Sequence, residues 1–159
     1  MVEKVISGGQ TGVDRAALDA ALDAGLPAGG CCPKGRKAED GVIPQRYPLT
    51  ELDSPQYSSR TEKNVVDADG TLILNKGALS EGTKATHDFA LHHGKPCLIV
   101  QLDQLESPAP ACWQQVIAWI ERHELRVLNV AGPRESKCPD GIYRDAYRYL
   151  AGLFAALPR

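Results

Sequence analysis

Short apolar runs recur along this chain of 159 residues, each closed by a polar, often glycine-bearing loop before a helical stretch begins. No other feature narrows the fold so far. The runs cover residues 4–7, 28–30, 71–75 ("TLILN"), 96–102 ("PCLIVQL") and 126–132 ("RVLNVAG"). Central runs too apolar to alternate belong to strands buried on both faces. Between them, a helix is expected over residues 13–24, where Ala and Leu recur at helical spacing, and further helices over 58–68 (capped by Ser58 or Ser59), 84–93, 110–122 and 142–157. Strand–helix alternation implies a mainly parallel sheet covered on both sides. The expected fold is therefore α/β: a Rossmann-like three-layer sandwich forming a single domain over residues 1–159.

Composition removes several classes of function. A formal net charge of −2 leaves no basic excess with which to meet nucleic acid or a membrane surface. Any anion site has to be a local arrangement. No apolar run approaches the ~18–20 residues that cross a bilayer, and no signal-like segment leads the chain, so a cytoplasmic location is expected. The five cysteines form no C-x-x-C pair, and the four histidines show no H-E-x-x-H spacing. Thiols packed in the core or loops are the expected reading, with no metal site.

In open parallel sheets ligands bind beyond the carboxyl ends of the strands, and three loops there carry polar residues. The first is Gly8-Gly9-Gln10-Thr11-Gly12, followed by Asp14 and Arg15. Its glycines allow a sharp turn and close backbone approach, and the helix behind it offers free N–H groups. It is expected to be the main phosphate cradle, although it is neither G-x-G-x-x-G nor a P-loop. The second loop begins at Asn75 and ends on Gly82-Thr83 at the next helix, where Thr83 is either a cap or a phosphate contact. The third carries Gly132, Arg134 and Ser136, and the Arg134 guanidinium can fork onto an oxyanion. Residues 33–48 hold Gly, Pro and charges without periodicity and read as one long loop, a candidate lid.

The motifs "SGGQTGVDRAALDAA", "RTEKNVVDADGTLIL", "EGTKATHDFA" and "LNVAGPRES" resemble the putative molybdenum-carrier family along nearly the whole chain. That family is similar to the molybdenum-cofactor carriers and to the "lonely guy" phosphoribohydrolases. The resemblance implies a phosphate-bearing small-molecule ligand, nucleotide-like or of the molybdopterin (molybdenum cofactor) type. It also implies a homo-oligomer, a dimer or tetramer. Trp113, Trp119 and Ile120, near one another on one helix, are the candidate contact face. The hydrolases open the helix before the central strand with Arg-Lys, matched here by Arg60-Thr61. Their P-G-G-x-G-T-x-x-E motif is matched with Asn75 at the proline and Gly82-Thr83 at Gly-Thr, but the glutamate position is Thr86.

A neutral hydroxyl cannot replace a carboxylate in glycosidic cleavage. The expectation is thus a binding protein with no assigned catalytic residue. Gly9, Thr11, Gly12, Gly82 and Thr83 would hold phosphate, with charge from Arg15, Arg60 and Arg134. The alternatives are a nucleotide phosphoribohydrolase using Glu81 or Asp14, and a nucleotide-ligand sensor.

Overall fold

The computed structural model describes residues 1–105 and 111–159. Its main elements, in chain order, are β1 (Lys4–Ile6), α1 (Val13–Asp23), β2 (Ala28–Gly29), β3 (Cys31–Cys32), β4 (Lys37–Ala38), β5 (Gly41–Val42), β6 (Thr50–Glu51), α2 (Tyr57–Asp67), β7 (Gly70–Asn75), α3 (Glu81–His92), β8 (Cys97–Gln101), α4 (Ala111–Arg122), β9 (Val127–Ala131) and α5 (Tyr143–Ala156). The proline expected to open the fourth helix, Pro110, lies outside the described residues. No helix among the described residues is long and apolar enough to cross a membrane.

Five strands form one parallel sheet in the order β2-β1-β9-β7-β8. The last strand in sequence, β9, inserts between β1 and β7, with Val5 opposite Leu128 and Thr71 opposite Asn129. All six residues of β7 are buried, which explains the unbroken "TLIL" run. One face carries α1, α4 and α5, where Leu72, Leu74, Leu128 and Val130 meet Ala16, Val116, Ile120 and Leu150. On the other face α2 and α3 pack together and against β7, β8 and β9. The fold is the expected α/β sandwich with helices on both sides.

Trp119 and Ile120 are only 8% and 2% exposed, and Trp113 packs against the same core. A Cβ at Gly152 in α5 would sit 2.1 Å from the Trp113 ring. That glycine makes room for the indole, so the aromatic face of α4 is spent on the core and gives no ground for self-association.

Two helix starts differ from expectation. The cap of α2 is Gln56, which puts Ser58 and Ser59 inside the first turn. α3 begins at Glu81, with Ser80 in the cap conformation, so Thr83 is a helical residue rather than the cap.

Residues 33–48 are not one long loop. β4 and β5 form an antiparallel hairpin with Glu39 and Asp40 at its tip, and β3 pairs with β6 in parallel. A small second core of Leu18, Cys32, Ala38, Ile43 and Tyr47 lies beneath. Arg36, in the left-handed region (φ 51°), donates to the carbonyls of Ile43 (3.1 Å), Pro44 (2.8 Å) and Tyr47 (3.1 Å). Two-residue strands leave no periodicity to read, and here an arginine serves as the organiser of the segment. Replacing Arg36 by Met removes the donor to all three and to the Leu49 carbonyl (3.4 Å), four in all. The expected loss is about 2–3 kcal/mol by denaturant unfolding; a change under about 0.5 kcal/mol would rule out this role.

Candidate functional site

A cavity of about 410 Å³ opens beyond the carboxyl ends of β1 and β9, between the amino ends of α2 and α3. This is the ligand position expected of an open parallel sheet where the strand order reverses. The first glycine loop contributes Gly8 and Gln10, and α1 contributes Asp14. α2 supplies Tyr57 and Arg60, and α3 supplies Gly82, Thr83 and Thr86. The segment from β9 onward adds Asn129, Gly132, Arg134 and Lys137.

The floor is an ion pair. Asp14 is 8% exposed and Arg60 7%. Arg60 Nη1 donates to the Gly8 carbonyl at 2.7 Å and stands 3.7 Å from Asp14 Oδ2, which accepts from the Gln10 N–H at 3.2 Å. A Cβ at Gly8 would lie 2.5 Å from Arg60 Nη1, so this glycine is what admits the guanidinium. Burial pushes the Asp14 carboxyl up to about 6, against the lowering pull of Arg60, the Gln10 N–H and the Ser7 hydroxyl.

One wall is the first turn of α3. No side chain caps this helix, and the Ser80 hydroxyl bonds instead to Thr83 Oγ1 at 3.1 Å. The first N–H groups of a helix have no partner within it and carry the positive end of its dipole. Gly82 lies in this turn without a positive φ, and a Cβ there would meet nothing within 4 Å. Neither backbone strain nor packing demands a glycine here; it leaves open space over the turn. Thr86 is buried one turn further on, its hydroxyl donating to the Gly82 carbonyl at 3.1 Å.

The remaining expected site residues fall elsewhere. Gly9 and Gly12 have positive φ and are held against protein. A Cβ at Gly9 would press on Leu49 and Ile43, and one at Gly12 would lie 2.5 Å from the Pro133 carbonyl. The Val13 N–H is likewise given to Pro133 O at 3.3 Å. The start of α1 therefore faces its own chain, and these glycines serve close packing rather than the cavity. Thr11 and Arg15 line a separate cleft of about 320 Å³. Arg15 is held by Asp40 (Nη2 to Oδ1, 2.7 Å). Ser136 is bonded to Glu39. Asn75 braces its own loop, donating to the Gly77 carbonyl at 2.9 Å and to Gln101 Oε1 at 3.2 Å.

Sequence reasoning passed over Lys137 and Tyr57, and took Asn129 only as the start of the third polar loop. A signal existed for Lys137, a second base close behind Arg134 in a polar loop. Asn129 sits inside β9 and donates to Thr71 Oγ1 at 3.2 Å.

The sequence model of the circularly permutated YpsA SLOG family matches residues 5–154. The chain belongs to this family. A crystal structure of a putative molybdenum carrier protein from Syntrophus aciditrophicus SB has a TM-score of 0.90 to the chain, at 45% identity over 96% of this chain and 94% of that one. No curated protein matches. In this member of the YpsA SLOG family, the cavity gathers Gly8, Gly82 and Gly132 from three separate segments at one end of the sheet.

Proposed function

We propose that this protein binds a phosphate-bearing small molecule in the 410 Å³ cavity, with a phosphate on the first turn of α3 and charge from Arg60, Arg134 and Lys137. The observation that carries the reading is the uncapped start of α3, left open by Gly82, in a cavity that these three cations also line. The cavity is of a size for a nucleotide-like or pterin-like ligand.

The name of the crystallised relative points to molybdenum as cargo. The donor set here fits the anionic part of such a cargo. It does not fit the bare metal: the cavity lining includes no cysteine or histidine, and among the described residues no group of three His, Cys, Asp or Glu could hold a metal ion. Molybdenum would thus be carried with its own oxygen or organosulfur ligands, the protein holding either the oxyanion itself or the phosphate of a molybdopterin. Assembly as a dimer or tetramer is supported by the resemblance alone.

One observation favours a second reading, nucleotide phosphoribohydrolysis. Asp14 offers the cavity a buried carboxyl near pH 6, a value suited to general acid work. Thr86, in the position of the hydrolases' glutamate, offers none. Native mass spectrometry of freshly purified protein, followed by calorimetry with nucleoside monophosphates and chromatography for released base, separates the two. Binding without turnover is expected. Turnover near one per second moves the function to the hydrolase, and no binding of any phosphate ester or molybdenum oxyanion sinks both.

A further inference from the structure

Between the cavity and the neighbouring cleft, one carboxylate gathers an unusual share of donors. Glu39, at the tip of the β4–β5 hairpin, reaches across to the loop after β9. Its Oε1 accepts from the Thr11 hydroxyl and from the Ser136 N–H (3.2 Å), and its Oε2 accepts from the Ser136 hydroxyl at 2.5 Å. Arg134 Nε stands 3.4 Å from Oε2, is shielded from solvent, and has no hydrogen-bond partner. The Thr11 hydroxyl in turn accepts from the Glu135 N–H at 3.2 Å, which orients it.

We propose that Thr11, Arg134 and Ser136 form a second anion subsite, built for a phosphoryl group of the ligand and filled in the free protein by Glu39. The proposal rests on the cavity being an anion site, with which Arg134 makes the subsite continuous. Donors drawn from two loops more than a hundred residues apart in sequence converge on one small anion, as they would on a ligand oxyanion. A carboxylate has two oxygens and a single charge, and it leaves Arg134 Nε unsatisfied. A phosphoryl group has three oxygens and up to two charges, enough to satisfy the guanidinium as well.

Exchange does not require the hairpin to move. Ala38 and Ile43 are buried in the second core, and Arg36 clamps the segment. Glu39 stands at the exposed hairpin tip with its side chain 20% exposed, and it leaves by rotating that side chain into water. Despite partial burial, which raises it, the bonds from Ser136 and Thr11 hold its carboxyl below the usual range. The occupant is therefore an anion at neutral pH, and an incoming phosphoryl group has to compete with it.

Competition by a resident group lowers apparent affinity by the fraction of time the site stands empty. Titration calorimetry of pyrophosphate into the full chain tests this. Glu39→Ala and Glu39→Gln are both expected to bind about tenfold or more tightly than wild type, and Arg134→Met added to either removes the gain. Glutamine keeps the length and the acceptor for Ser136, so it guards against a trivial loss of structure. Unchanged or weaker binding in both folded variants overturns the proposal. So does unfolding of both, which makes Glu39 a strut. If the cavity reading fails, wild type and Gly82→Val respond to pyrophosphate alike. If only the Glu39 reading fails, Gly82→Val loses binding that Glu39→Ala does not improve.

Discussion

Replacing Gly82 by valine is expected to weaken binding of phosphate ligands about 100-fold, the equivalent of one or two charge-assisted hydrogen bonds, and to leave the free protein as stable as before. The two halves have separate causes. Gly82 has no positive φ and no neighbour within 4 Å of a Cβ, so valine brings neither strain nor clash. Within a helix, exchanging glycine for valine is worth only a few tenths of a kcal/mol. Gly82 lines the cavity, so the added isopropyl group is expected to take up space beside the first-turn N–H groups of α3. An anion kept an ångström or two further out loses those bonds and much of the helix dipole, which acts only near the first turn. Gly8→Val, by contrast, would displace Arg60 and lose stability with affinity. Gly9→Val would collide with Leu49 and Ile43 and report on packing alone. Calorimetry on Gly82→Val, with melting of the free protein alongside, is the measurement. Wild-type affinity in a folded Gly82→Val would remove the start of α3 from the site.

The contrast between these glycines shows where the sequence speaks clearly and where it does not. The central sheet was legible because each strand is an apolar run bounded by polar loops, and burial on both faces leaves no other reading for "TLIL". The first helix was legible from Ala and Leu spacing and the others from the stretches between strands and their flanking Ser, Gly and Pro, with the start of α3 misplaced by three residues. There Ser80 holds the cap position without making a side-chain cap bond. The β4–β5 hairpin was illegible because two-residue strands carry no period and their anchor is Arg36, a residue that sequence logic sends to the surface. In the site, Gly-Gly-Gln-Thr-Gly looked like the cradle because composition cannot tell a glycine that admits a ligand from one that admits another part of the chain. Gly8 makes way for Arg60 and Gly12 for Pro133, while Gly82 makes way for nothing in the protein. Arg134 was readable as a cation, but its pairing with Glu39 joins residues 95 positions apart and has no local signature.

The carboxyl of Asp14 is expected to titrate near pH 6 in the free protein, where an unperturbed aspartate titrates near 3.8. Burial is the largest cause, and Arg60 at 3.7 Å offsets it only in part. Because the folded-state value is raised, the native protein takes up its proton before the unfolded chain does. Stability from this group is lowest above pH 6 and rises as the pH falls toward 4. The span of the shift corresponds to about 3 kcal/mol. Other carboxyls act in the opposite sense: Asp40, bonded by Arg15, and Glu39 are held below their usual values. The effect must therefore be read as a difference, with the stability of wild type relative to Asp14→Asn increasing between pH 7 and pH 4. Ligand adds a second, independent reading. A phosphate near Arg60 draws on the charge that keeps Asp14 ionised, so binding at pH 6.5 should take up more protons, or release fewer, in wild type than in Asp14→Asn, where only the phosphate itself titrates. Calorimetry in buffers of different ionisation enthalpy measures that uptake, and carboxyl-carbon NMR gives the titration directly. An Asp14 that titrates near 4 would overturn the burial argument, and a proton change on binding equal to that of Asp14→Asn would show the Asp14–Arg60 pair to be a structural contact with no part in holding the anion.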